Sequence, residues 1–208
     1  MNNSTQSSYI KYDLPNADII LYNSFFTKAD SDLLYKNLIE KINWEQHEIT
    51  IFGKTMNQPR LTAFYGDNNK DYSYSGIRLK PTEWNEDLIL IKSRIEKITN
   101  ESFSSVLLNY YRDGRDSMGW HADDEKELGK NPVIASVSFG ATRPFQLKHN
   151  TIKDLKKVDI ELTHGSLLLM KGTTQHHWKH QIPKSAKPIE PPKKIPTRCT
   201  TRDSVPTW

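Results

Sequence analysis

At 208 residues, with 36% hydrophobic and 10% aromatic content, the chain is long enough for one domain with a real core. A mean hydropathy of −0.71 and the lack of any apolar run of about 18 residues exclude a transmembrane helix, so no membrane partner is expected. A net charge of +4 permits phosphate contacts without requiring them, and the lone Cys199 excludes an internal disulfide. That cysteine usage suits a reducing compartment: cytoplasm if the source is bacterial, nucleus if it is eukaryotic.

Residues 1–15 are rich in Asn, Ser and Thr and are expected to be a flexible leader, without the basic and apolar regions of a signal peptide. Residues 16–208 then form a single domain. Residues 27–42 predict an amphipathic helix: Thr27 can cap it, Asp30 follows three residues later, and Leu34, Leu38 and Ile42 recur at helical spacing. An extended segment is expected over 49–54, ending at Gly53. The polar stretch after it, broken by Pro59, Gly66 and Asn68-Asn69, reads as turns between short strands. Residues 82–98 predict a second helix behind Pro81, with Leu88, Ile91, Ile95 and Ile98 along one stripe.

Beyond residue 103 the period changes. Residues 105–111, 133–139, 144–149, 158–162, 166–171 and 176–181 are brief, often β-branched or aromatic, and punctuated by Gly, Asn or Pro, the pattern of strands. Helices first and closely spaced strands afterwards predict an α+β chain. Its core is expected to be a double-stranded β-helix, or jelly roll, with the N-terminal helices packed on one sheet. Residues 183–196 hold five of the 11 prolines and several lysines, so no central strand is expected there.

Gly119-Trp120-His121-Ala122-Asp123-Asp124 concentrates the chemistry. In extended backbone, residues two apart share a face, so His121 and Asp123 can offer a nitrogen and an oxygen to adjacent positions on a metal. A later histidine would complete a 2-His-1-carboxylate set, leaving positions on Fe(II) for a bidentate 2-oxo acid and for dioxygen. A His-x-Asp pair alone is a weak signal, because a chain with seven histidines makes one easily by chance. His176, His177 and His180 all lie late enough to supply the third ligand. Alternation puts His176 and His180 on one face and His177 on the other, and spacing does not choose between the first two.

Other blocks stand in order around this motif: Asn109-Tyr110-Tyr111, residues 132–141, residues 164–170 and His177-Trp178-Lys179-His180. Together they resemble the core of the AlkB dioxygenases over about residues 50–183. Upstream, Phe52-Gly53-Lys54, Pro59-Arg60 and residues 72–76 resemble the DNA-repair branch of that family. The resemblance implies His121, Asp123 and His180 as iron ligands, His180 being preferred because it follows the Trp by two. It implies Asn109 and Tyr111 as partners of the cosubstrate 2-oxoglutarate, with O2 as the second cosubstrate. Tyr72, Tyr74 and Ser75 would line a pocket for a flipped base, Phe52 would form a wedge with Gly53 beside it at the substrate, and Asp124 would help orient the base. Arg60 would touch the phosphate backbone or pair with an acid. Plain packing is the alternative for each aromatic, and a solvated acid the alternative for Asp124.

The tail departs from the family pattern. A strand with two arginines six apart is expected there, yet residues 190–202 read Glu-Pro-Pro-Lys-Lys-Ile-Pro-Thr-Arg-Cys-Thr-Thr-Arg. Pro192 stands where the first arginine should, Arg198 where the second should, and Pro196 opposes a strand. Arg198 and Arg202, four apart, are the candidates for the cosubstrate carboxylate, since an arginine fork matches a carboxylate bidentately. The implied function is oxidative removal of alkyl groups from 1-methyladenine- and 3-methylcytosine-type lesions in single- or double-stranded DNA, by a monomer. The alternatives are a demethylase of RNA or protein, and a nucleic-acid-binding module with an impaired cosubstrate site.

Overall fold

The computed structural model describes residues 8–51, 53–67, 72–74, 77–186 and 195–200, except the side chains of 51, 72–74, 77–79 and 195–200. The first half of the chain contributes β1 (Ile10–Tyr12), β2 (Asp18–Tyr22), α1 (Lys28–Lys41), β3 (Glu48–Ile51), β4 (Lys54–Asn57), β5 (Leu61–Gly66), β6 (Tyr72–Tyr74), β7 (Ile77–Leu79) and α2 (Glu86–Thr99). The second half contributes β8 (Ser105–Tyr110), β9 (Met118–His121), β10 (Ile134–Phe139), β11 (Arg143–His149), β12 (Val158–Leu162), β13 (Ser166–Lys171), α3 (Thr174–His177), β14 (Trp178–Ile182) and β15 (Ile195–Thr200). Among the described residues, no helix is long and apolar enough to cross a membrane.

The larger sheet runs β1-β2-β13-β10-β15-β8-β5 and the smaller β12-β11-β14-β9, both antiparallel. The two faces of the larger sheet explain its sequence. One face receives α1 and α2: Leu34, Leu38, Ile91 and Ile95 pack with Val106, Leu108, Val137 and Leu169. The other meets the smaller sheet: Leu107, Ile134, Leu168 and Met170 pack with Phe145, Leu147, Leu162 and Trp178. Each fully buried aliphatic side chain here contributes roughly 1.5–3 kcal/mol. A sheet covered on both sides carries runs of consecutive buried residues, as β8, β10 and β13 do, whereas burial alternates along β11 and β14 because one face meets solvent. The result is a double-stranded β-helix with two helices on one sheet, as expected.

Local chemistry sets the helix ends. Thr27 Oγ1 accepts from the Asp30 amide, and Asn85 Oδ1 accepts from the Leu88 amide. The second helix therefore starts at Glu86 rather than 82, because Thr82 is held extended by a bridge to Tyr65. Asn100, in the left-handed region at φ 56°, ends it.

Several expectations fail for identifiable reasons. Residues 10–12, assigned to the leader, form an edge strand on β2. The stretch read as turns between short strands does hold a strand, β5, paired along its length with β8, although it is buried on most residues and shows no alternation. The strand expected over 176–181 begins only at Trp178, after a helical turn. Most tellingly, β15 lies between β10 and β8 despite Pro196. Pro196 pairs only with Ser138 of β10, and the β8 ladder starts at Thr197, so the missing N–H falls near the strand's start, where it is tolerated.

Candidate metal centre and its two cavities

The ladder of the smaller sheet brings His180 of β14 directly opposite His121 of β9. Their ring centroids lie 4.2 Å apart. Asp123, two residues beyond the end of β9, has one carboxylate oxygen 3.6 Å from His121 Nε2 and the other 3.5 Å from His180 Nε2. These separations exceed a hydrogen bond but suit groups gathered around a common centre. Ligand atoms of all three side chains fall within 4.8 Å of one another.

Each side chain is prepared for a cation. The Nδ1 of His121 lies 2.9 Å from the Gly119 carbonyl oxygen, which only accepts; Nδ1 therefore carries the proton and Nε2 keeps its lone pair. Burial pushes His180 down to about 3, so its imidazole is neutral at physiological pH. Phe145 stacks on that ring at 4.9 Å and 22° and fixes its plane. Asp123 is fully buried, and its backbone amide donates to Gln175 Oε1 at 2.9 Å. Two imidazoles and a carboxylate, closed on one side by protein, fit a divalent iron that keeps further positions open. His176 is excluded: it sits exposed on α3 with its Nε2 3.0 Å from Asn131 Oδ1.

Two cavities meet at this point. The inner one lies between the sheets and is lined by Asn109, Tyr111, Ser136, His121 and His180 among others. Asn109 Oδ1 accepts from Arg60 Nε at 2.8 Å, so the amide's donor end is the one left for a bound anion. Tyr111 is buried, with the Arg143 guanidinium 5.7 Å from its ring centre. Position 198 pairs with Ser136 on one side and Leu107 on the other; directly paired residues share a sheet face, so 198 belongs to the inner face.

The outer cavity, about 380 Å³, is lined by Met56, Pro59, Arg60, Trp120 and His121 among others. Of the residues assigned to substrate, Gly53 turns the exposed β3–β4 hairpin at φ 75°, and Asp124 is exposed next to Asp123. Arg60 corrects an expectation. It is only 4% exposed and its Nε is committed to Asn109, so burial replaces the phosphate contact. Tyr72 and Tyr74 lie on β6, their side chains outside the described residues, as are Phe52, Ser75 and Arg202 altogether.

Sequence reasoning missed two buried polar residues. Arg143 donates to the carbonyls of Asp113, Asp116 and Pro183, tying two loops to the start of β11. Gln175 reaches the metal loop across 52 residues. No local pattern announces either.

Comparison with known proteins agrees with this geometry. Residues 18–202 match the model of the 2OG-Fe(II) oxygenase superfamily. The chain is 41% identical over 174 residues to mouse "Alpha-ketoglutarate-dependent dioxygenase alkB homolog 3", covering 80% of this chain and 60% of that protein. It is 37% identical over 171 residues to mouse "DNA oxidative demethylase ALKBH2", covering 78% and 72%. The chain thus spans about three fifths of the homolog 3 relatives. The solved structure of OsALKBH1 superposes with a TM-score of 0.65 at 14% identity, over 92% of this chain and 99% of that one, and supports the fold. Sheet order, triad and sequence identity converge: the chain belongs to the AlkB family of 2OG-Fe(II) oxygenases.

Proposed function

We propose that this chain is an Fe(II)- and 2-oxoglutarate-dependent dioxygenase that removes alkyl groups from ring nitrogens of damaged bases in DNA, of the 1-methyladenine and 3-methylcytosine type. The observation that carries the reading is the convergence of His121, Asp123 and His180 at the junction of the two cavities. His121 lines both, so a group held by it faces a cosubstrate on one side and a substrate on the other.

His121 Nε2, a carboxylate oxygen of Asp123 and His180 Nε2 would hold the iron. Bound there, Fe(II) supplies activation of dioxygen coupled to conversion of 2-oxoglutarate to succinate and CO2, oxidising a methyl carbon that then leaves as formaldehyde. The protein's part is positional. The Asn109 amide and the Tyr111 hydroxyl would orient the 2-oxo acid in the inner cavity. Arg198, on the strand inserted beside Ser136, would meet the carboxylate, with Arg202, four residues on in the sequence, as the second candidate. The apolar walls supplied by Met118, Phe145, Leu162 and Met170 keep water from the inner cavity.

The outer cavity would receive the base. A base stacked in a duplex cannot reach the triad and must be flipped, at a cost of roughly a few kcal/mol that is lowest for a lesion that already blocks pairing. Gly53, Phe52, Tyr72, Tyr74, Ser75 and Asp124 are the residues we assign to that step. The likeness to ALKBH2, a DNA oxidative demethylase, favours DNA over RNA.

The test is formaldehyde release from oligonucleotides carrying 1-methyladenine or 3-methylcytosine, in DNA and RNA versions, with Fe(II) and 2-oxoglutarate each withheld in turn. Release that requires both, faster on DNA, is the expected result. Tight oligonucleotide binding without release would contradict it and leave a binding module.

A further inference from the structure

Asp123 has an architectural problem that the rest of the site lacks. β9 ends at His121, and β14 pairs with β9 only at His180↔His121 and Ile182↔Met118. Two residues later the chain has left the ladder, so no strand fixes the backbone that carries the carboxylate. A displacement of about 1 Å is enough to spoil a reacting geometry.

The Gln175 side chain occupies the place of the missing strand. Its Oε1 accepts from the Asp123 amide at 2.9 Å, and its Nε2 donates to Met170 Sδ at 3.6 Å. The turn that bears it is itself anchored. Thr174 Oγ1 accepts from the Asp18 amide and donates to the Lys171 carbonyl, while Asn150 binds the His176 and His177 carbonyls. Gln175 is 2% exposed and Thr174 1%, so water does not compete for these bonds. Five residues after Gln175 the same chain delivers His180.

We propose that Gln175 is a positioning residue for the metal centre: its amide oxygen sets the backbone at Asp123 and thereby the carboxylate's approach to the ion. This rests on the metal-site reading above. Hydrogen-bond partners that orient a metal ligand typically cost about 10–100-fold in metal affinity when lost.

The experiment titrates Mn(II) into the metal-stripped 208-residue chain and follows binding by electron paramagnetic resonance. Three proteins are compared: the unmodified chain, Gln175→Met, which keeps the volume but offers no strong acceptor, and His176→Ala, which removes the neighbouring exposed imidazole bonded to Asn131. We expect Kd to rise about 10–100-fold in Gln175→Met and to stay within about twofold in His176→Ala. If Gln175→Met binds Mn(II) as the unmodified chain does, the inference is wrong, whatever its melting temperature. If the unmodified chain binds no Mn(II), the metal-site reading itself fails. Should Gln175→Met not fold, amide exchange in the unmodified, metal-free chain decides. An Asp123 amide protected as well as those of the ladder supports the bond, and one exchanging like a loop amide overturns it.

Discussion

The metal centre and the β3–β4 hairpin that walls the outer cavity are built by opposite means. At the centre Asp123 and His180 are buried and each ligand is held by a neighbour: His121 by the Gly119 carbonyl, the Asp123 amide by Gln175, His180 flat on Phe145. The hairpin is a two-stranded sheet of its own, with Lys54–Asn57 exposed along its whole length and Met56 45% exposed. An isolated two-stranded ribbon is marginally stable and can yield to what it touches. The contrast separates two demands. Under the proposed function, the ligands of an ion are locked by the core, while the surface we propose for a variable polymer is left adaptable.

This division can be broken experimentally in order of expected effect. Asp123→Ala removes a ligand that nothing else replaces, so product formation should fall by more than the roughly 100-fold that the loss of an outer partner costs; steady-state assays would show it. Arg198→Ala removes a charge-assisted pair worth about 1.5–3 kcal/mol, so KM for 2-oxoglutarate should rise about 10–100-fold with little change in the melting temperature. A KM unaltered in both Arg198→Ala and Arg202→Ala would refute the assignment of the carboxylate anchor. Arg60→Ala leaves the buried Asn109 oxygen without its donor and should cost about 1–3 kcal/mol in denaturant unfolding, besides weakening 2-oxoglutarate binding. The smallest effect belongs to the hairpin. Met56→Ser should change stability by no more than about 0.5 kcal/mol, yet raise KM for a methylated oligonucleotide while sparing turnover of 2-oxoglutarate. An equal fall in both activities would mean that hairpin and centre are not separable.

What could be read beforehand follows the same division. His121 and Asp123 were singled out by a two-residue spacing that shares a face in extended backbone, yet β9 ends at His121 and Asp123 lies beyond it; the alternating strands of the smaller sheet were legible because one side is wet. His180 needed the family's ordered blocks, since local spacing left His176 equally eligible; what excludes His176 is a helical turn that ends just before Trp178. The strand over 195–200 was hidden by Pro196, whose cost depends on which neighbour starts where, a fact of register and not of composition. Arg60, Arg143 and Gln175 were misread or missed for a shared reason: a buried polar residue is identified by partners dozens of positions away, which no window along the chain contains.

The most direct test of the account is succinate formation by the purified chain supplied with Fe(II), 2-oxoglutarate and a 1-methyladenine oligonucleotide, run beside His180→Ala. The account predicts succinate in step with formaldehyde in the unmodified chain, and neither in the variant. Succinate and formaldehyde persisting at the full rate in His180→Ala would contradict a centre built on residues 121, 123 and 180.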